Sequence, residues 1–128
     1  MLLVTVFSIT SLLSQTTLAV GFVDSTNNLV ETSQIEIENM FEFHLIEEDS
    51  IIICIIKNLE GEIVDDVIVW NIESVTNRDK MHTYHVIDSD GDFCYLSFMM
   101  KRKEVFILDV LKSQYSAMSG KNLSYTNL

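Results

Sequence analysis

The stretch Tyr84–Phe98 reads Tyr-His-Val-Ile-Asp-Ser-Asp-Gly-Asp-Phe-Cys-Tyr-Leu-Ser-Phe. Two β-type segments flank Asp88-Ser89-Asp90-Gly91-Asp92, and the Asp90-Gly91 pair marks a hairpin because glycine takes positive φ without a Cβ clash. Strand parity after the turn puts Cys94, Leu96 and Phe98 on one face. Tyr95 and Ser97, with Phe93 beside them, take the other.

Working upstream, Ile35 and Ile37 alternate with Glu36 and Glu38, and Phe41, Phe43 and Leu45 with Glu42 and His44, as in strands with one wet face. Glu47-Glu48-Asp49-Ser50 interrupts as a charged turn. Ile51–Ile56 is Ile-Ile-Ile-Cys-Ile-Ile, whose β-branched side chains favour a pleated sheet and whose lack of alternation predicts burial on both faces. Glu47, Glu48, Asp49 and Lys57 guard its ends against aggregation. Asn58-Leu59-Glu60-Gly61 forms a turn, Ile63 and Val64 resume a strand, and Val67–Ile72 surrounds Trp70. Downstream, Glu104–Leu111 makes a last strand.

About eight short strands separated by turn residues, with no long amphipathic helix, predict an all-β fold, an antiparallel β-sandwich of the jelly-roll kind. The 128 residues hold one domain. Its expected parts are a polar lead-in over 22–34, the sandwich over 35–112 and a flexible polar tail over 113–128.

The first 23 residues carry no charged side chain. Leu2–Leu13 is too short and too polar for a membrane span, but it suits the apolar core of a signal peptide over residues 1–21. Thr17-Leu18-Ala19 and Ala19-Val20-Gly21 both offer small residues for cleavage. The expectation is a secreted or lumenal product with no membrane span after cleavage. In that oxidising setting Cys54 and Cys94, the only cysteines, can join as a disulfide or persist as two buried thiols. Asn122-Leu123-Ser124 is a glycosylation sequon in the polar tail.

The net charge of −11 is uneven. Residues 24–92 hold 17 acidic and 3 basic side chains, whereas residues 93–128 hold 2 acidic and 5 basic. Most of such a surface repels nucleic acid. Asp88, Asp90 and Asp92 invite a calcium reading through their hard oxygens, although Gly91 stands fourth where an EF-hand needs it sixth. His82 and His85 lie three apart, on opposite faces of a strand, which argues against shared zinc. No G-x-S-x-G elbow or activated cysteine is present, so an enzyme, catalytic residues and a cofactor are not expected.

Met40–Val110 resembles the GOLD (Golgi-dynamics) domain, the lumenal β-sandwich of small transmembrane cargo receptors of the early secretory pathway. Phe41-Glu42-Phe43 looks like that family's early F-x-F strand, Ile52–Val64 with Asn58–Glu62 like the strand entering its D-P-D-G-K turn, and Asp90–Tyr95 like D-G-x-Y-x-F-C-F. The hairpin is two residues shorter between Gly91 and Cys94, Leu59 replaces the turn proline, and Cys54 lies later than the usual partner cysteine. Residues 111–128 contain no coiled coil or membrane anchor. The resemblance implies a protein–protein recognition module with no catalytic residues.

The functional expectation is therefore a non-catalytic protein-binding module, a GOLD-like component of cargo recognition in secretory protein transport. Its partner is a protein met at sheet edges and on the acidic 47–66 face. Two alternatives stand beside it: a secreted effector engaging a host or cell-surface receptor, and a weak calcium or sugar binder built on the aspartate turn and Trp70.

Overall fold

The structure, a computed structural model, describes residues 16–128. Ten strands form it: β1 (Thr16–Val23), β2 (Leu29–Ile37), β3 (Met40–Ile46), β4 (Ile51–Lys57), β5 (Ile68–Arg78), β6 (Met81–Ile87), β7 (Phe93–Met99), β8 (Glu104–Asp109), β9 (Gln114–Ser119) and β10 (Leu123–Thr126). A 3₁₀ turn over Glu47–Asp49 is the only helical element among the described residues. None of their helices is long and apolar enough to cross a membrane.

The all-β expectation holds. The strands do not divide into two sheets: all ten belong to one, in the order β10-β3-β4-β5-β6-β7-β8-β9-β1-β2, antiparallel except where β10 runs parallel to β3. Two short connections explain its shape. Glu38-Asn39 links β2, at one end of the order, to β3 near the other, and Gly120–Asn122 links β9 to β10 in the same sense. With so little chain to span the gap, the sheet must roll until the end of β2 lies close to the start of β3, although among the described residues β2 pairs only with β1.

The rolled interior is the core. Phe43, Ile52, Cys54, Ile56, Trp70, Tyr84, Val86, Cys94, Leu96, Phe98, Val105, Met118 and Leu123 pack there, one parity of each strand facing in. Phe43 stacks near Trp70 and meets Phe98 edge-on at 5.4 Å, while Phe98 also meets Tyr84 and Tyr125 edge-on. Such T-shaped pairs align a positive ring edge with a negative face and add about 0.5–1.5 kcal/mol each beyond burial. Residues of β3, β7 and β10 touch across the roll, giving one sheet the core a sandwich would have. In β4, Ile52, Cys54 and Ile56 are buried, while Ile51, Ile53 and Ile55 on the outer face are half-buried rather than fully covered.

The polar lead-in and the flexible tail are corrected. Residues 22–34 complete β1 and open β2, and residues 113–128 contain β9 and β10. Few apolar residues occur in the last segment, but each lands where it counts. Met118 and Leu123 enter the core, Tyr115 is buried over Gly21, and the Tyr125 hydroxyl accepts the Glu104 N–H at 2.7 Å and donates to the Glu104 carbonyl at 3.0 Å. Strand formation follows these non-local pairings rather than local composition.

Of the signal-peptide expectation, residues 1–15 lie outside the described residues. Both candidate cleavage triplets lie in β1, which is paired to β2 and β9. Thr16 is buried, and its hydroxyl accepts the Asn122 N–H at 2.8 Å.

Candidate functional site

Three hairpin turns share one construction. Asp88 Oδ1 accepts the N–H groups of Asp90 and Asp92, Asn58 Oδ1 those of Glu60 and Glu62, and Asp24 Oδ1 those of Thr26 and Asn28. In each turn the fourth residue, Gly91, Gly61 or Asn27, has positive φ. These are five-residue hairpin loops with a type I turn, a left-handed fourth residue and an Asx side chain bonding forward. The aspartates of Tyr84–Phe98 thus build a turn. Asp88 Oδ1 is taken up by main-chain donors, and among the described residues no three His, Cys, Asp or Glu side chains gather to hold a metal ion.

The other sequence candidates are placed as follows. Cys54 on β4 and Cys94 on β7 are both buried free thiols, so the structure contains no bond between them. Burial, with the Glu42 carboxylate nearby, pushes the Cys54 thiol up to about 12, and burial pushes Cys94 up as well. Asn122 is tied down rather than loose. Its Nδ2 donates to the Glu38 carbonyl at 2.9 Å and approaches that of Asn39 at 3.4 Å, while its own carbonyl accepts the Phe41 N–H. A sugar on Nδ2 removes one of the two hydrogens this clasp uses. Trp70, the aromatic of the sugar-binding alternative, is buried against Phe43 and offers no face to a ligand.

The feature the sequence left unassigned lies on the outer face of β6–β9. Along these strands the outward parity is apolar too: Phe93 and Tyr95 on β7, Phe106 and Leu108 on β8, Tyr115 on β9. His85 on β6 stacks on Tyr95 at 4.8 Å and lies beside Phe93 at 5.3 Å. A groove of ≈ 360 Å³ runs over this face, lined by Leu29, Met81, Thr83, Tyr95, Phe106 and Tyr115 among others. The Thr83 and Ser97 hydroxyls share one hydrogen bond at 2.9 Å across the groove floor.

Gly21 shapes the groove wall. A Cβ there would run into the Val30 carbonyl and sit 2.6 Å from the Tyr115 ring, so only glycine lets Tyr115 lie down on β1. Exposure of Leu29 at 55 % and Tyr95 at 37 % marks the groove as open to solvent, and Phe93, 43 % exposed, stands beside Tyr95 on the same face. The signal for it was legible: β7 and β8 are apolar at both parities, although their antiparallel sheet has only one core. A second cleft of ≈ 470 Å³ opens between Leu45, Glu47, Val75, His82 and Leu128, with more polar walls.

The acidic segment is also exposed, with apolar neighbours. Leu59, Ile63, Val64 and Val67 stand out of the β4–β5 connection among Glu60, Glu62, Asp65 and Asp66. On the adjoining strands Glu42 accepts from Lys57 at 2.9 Å and lies 3.3 Å from His44. Lys57, then His44, hold the Glu42 carboxyl below the usual range.

Compared with family models, curated proteins and solved structures, the chain matches none.

Proposed function

We propose that this chain is a non-catalytic protein-binding module of the secretory pathway or cell exterior, which receives an apolar segment of a protein partner on the outer face of β6–β9. One observation carries the reading: a sheet whose core already lies on one side keeps a second, outward row in which Phe93 and Tyr95 are exposed and His85, Phe106 and Leu108 are half-buried beside them. Scattered exposed apolar residues are ordinary, whereas a contiguous aromatic row beside a groove is the composition of interface centres. The secretory setting is supported by the apolar N-terminal run and by the GOLD-like residues Phe41–Phe43, Asn58–Glu62 and Asp90–Tyr95.

The test uses the full chain expressed in its native cell. Wild type is expected to migrate in a complex larger than the monomer, within endoplasmic reticulum and Golgi fractions or in the medium. A Phe93→Ser, Tyr95→Ser double variant, altered only at exposed positions, should keep its melting temperature and shift to monomer size. A wild type that runs as a monomer in every fraction, or a double variant that keeps its complex, contradicts the proposal.

A further inference from the structure

Among the described residues β2 is an edge strand with one side unpaired. β2 pairs with β1 alone and ends the strand order, so the groups on its far side have no partner among the described residues. Proteins blunt such edges with Lys, Pro, shortness or a covering element, because an open edge is a template for pairing. β2 runs nine residues without Lys or Pro, and all but Val30 and Ile37 are exposed. Its one irregularity is a bulge. Val20 faces Ser33 and Gly21 faces Glu31, which leaves Thr32 extra, with its hydroxyl donating to the Val20 carbonyl. Ser33–Ile37 remains regular.

Side chains along that stretch alternate in kind. Ile35 and Ile37 share the inward parity of Leu18 and Thr16, yet Ile35 is 55 % exposed, because no described residue covers it from the open side. Gln34 and Glu36 point outward, with Glu31 and Glu38 exposed to either side. No Lys or Arg occurs anywhere before Lys57. A strand laid here therefore presents alternate side chains to Ile35 and Ile37 on one face and, on the other, to exposed Glu31 and Glu36 with Glu38 beyond, none of which forms an ion pair among the described residues.

We propose that the β2 edge binds, by strand addition, an extended segment of a protein partner in which apolar residues alternate with Lys or Arg. Main-chain hydrogen bonds supply affinity, and the two parities supply specificity. A second copy of the chain is a poor occupant, since it sets acidic β2 on acidic β2 with a net charge of −11 on each molecule. The inference rests on the reading of the chain as a protein-binding module and uses a different surface from the aromatic face.

The experiment titrates a capped nine-residue peptide of alternating Lys and Val into the full chain. Calorimetry reads affinity, and amide hydrogen exchange reads β2. The expected result is binding that weakens with salt, new protection of β2 amides, and loss of at least about tenfold in affinity in a Glu31→Lys, Glu36→Lys variant. A peptide with alternate amides N-methylated, or with Glu for Lys, should not bind. Binding that ignores the charge reversal or the N-methylation overturns the proposal, as does failure of the Lys-Val peptide to bind at all. Binding abolished by Phe93→Ser, Tyr95→Ser, with β2 unprotected, overturns it while leaving the aromatic face standing. Sedimentation showing a stable dimer that the peptide does not dissociate also overturns it.

Discussion

Asn122 Nδ2 donates to the main-chain oxygen of Glu38 at 2.9 Å, joining the turn before β10 to the link between β2 and β3. Both crossings of the rolled sheet's seam meet at this one side chain. The Asn122 main chain adds bonds to Thr16 and Phe41, so four separate segments are held at one corner.

Replacing Asn122 by Ala removes the side-chain bonds to Glu38 and Asn39 and is expected to cost about 0.5–1.5 kcal/mol. Asp should cost more than Ala, since its carboxylate would face two carbonyl oxygens. Urea denaturation of the three proteins checks the order, and equal midpoints for all would refute the clasp. The same geometry predicts that peptide mapping of protein from its native cell finds Asn122 without a glycan.

Gly21→Ala drives a methyl group into the Val30 carbonyl and the Tyr115 ring. The expected loss is about 1–3 kcal/mol by overpacking. Because the clash lies between β1 and β2, NMR shifts should be largest in β2 and β9. Thermal melting within a degree of wild type would contradict this packing.

In the Tyr84–Phe98 hairpin, Gly91 has φ 85° and nothing within 4 Å of where its Cβ would stand. Gly91→Ala thus tests backbone conformation alone, at a cost of about 1–2 kcal/mol. Asp88→Asn keeps the acceptor for Asp90 and Asp92 and should be mild. Asp88→Ala removes it, and each lost bond is worth about 0.5–1.5 kcal/mol. Stability of the three variants ranks them, and Asn no better than Ala would refute the Asx turn.

Stability should fall at both extremes of pH, for opposite reasons. Cys54 has its folded value pushed up to about 12 from an ordinary 9.0, so the unfolded chain loses the proton first. Stability then declines between about pH 9 and 12. Glu42 is lowered by Lys57 and His44, and Asp24 by the N–H of Asn28 and the Thr26 hydroxyl. Their contributions are present above the unfolded carboxyl range and vanish as pH drops through the folded values. Denaturant midpoints across pH check both limbs, and Cys54→Ala should flatten the alkaline one. At pH 8 the native thiol should resist alkylation until the chain unfolds, and prompt labelling would contradict its burial.

The hairpin and its facing were legible because a period of two and a Gly turn are local signals. Cys94, Leu96 and Phe98 are inside, as parity predicts, and Tyr95 and Ser97 are outside. The facing of Phe41–Leu45 was legible for the same reason, whereas Ile51–Ile56, with no alternation to read, was expected to be buried on both faces and turns only Ile52, Cys54 and Ile56 fully inward. β9 and β10 were not, since Gln114–Ser119 and Leu123–Thr126 contain few apolar residues and gain their strands from partners far away in sequence. One sheet instead of a sandwich was equally hidden: it depends on the lengths of the Glu38-Asn39 and Gly120–Asn122 links, which carry meaning only once pairing is known. Of the candidate site, Phe93 and Tyr95 were placed on the correct face, but Leu29, Met81, Phe106 and Tyr115 join them only through β2 and β6–β9 coming together.

The most direct test of the binding role places a photo-crosslinking amino acid at Tyr95, or at Ser89 as a control at the hairpin tip, in the full chain within its native cell. The account predicts one discrete protein adduct from position 95 and none from position 89. No adduct from position 95, or the same adducts from both positions, would contradict it.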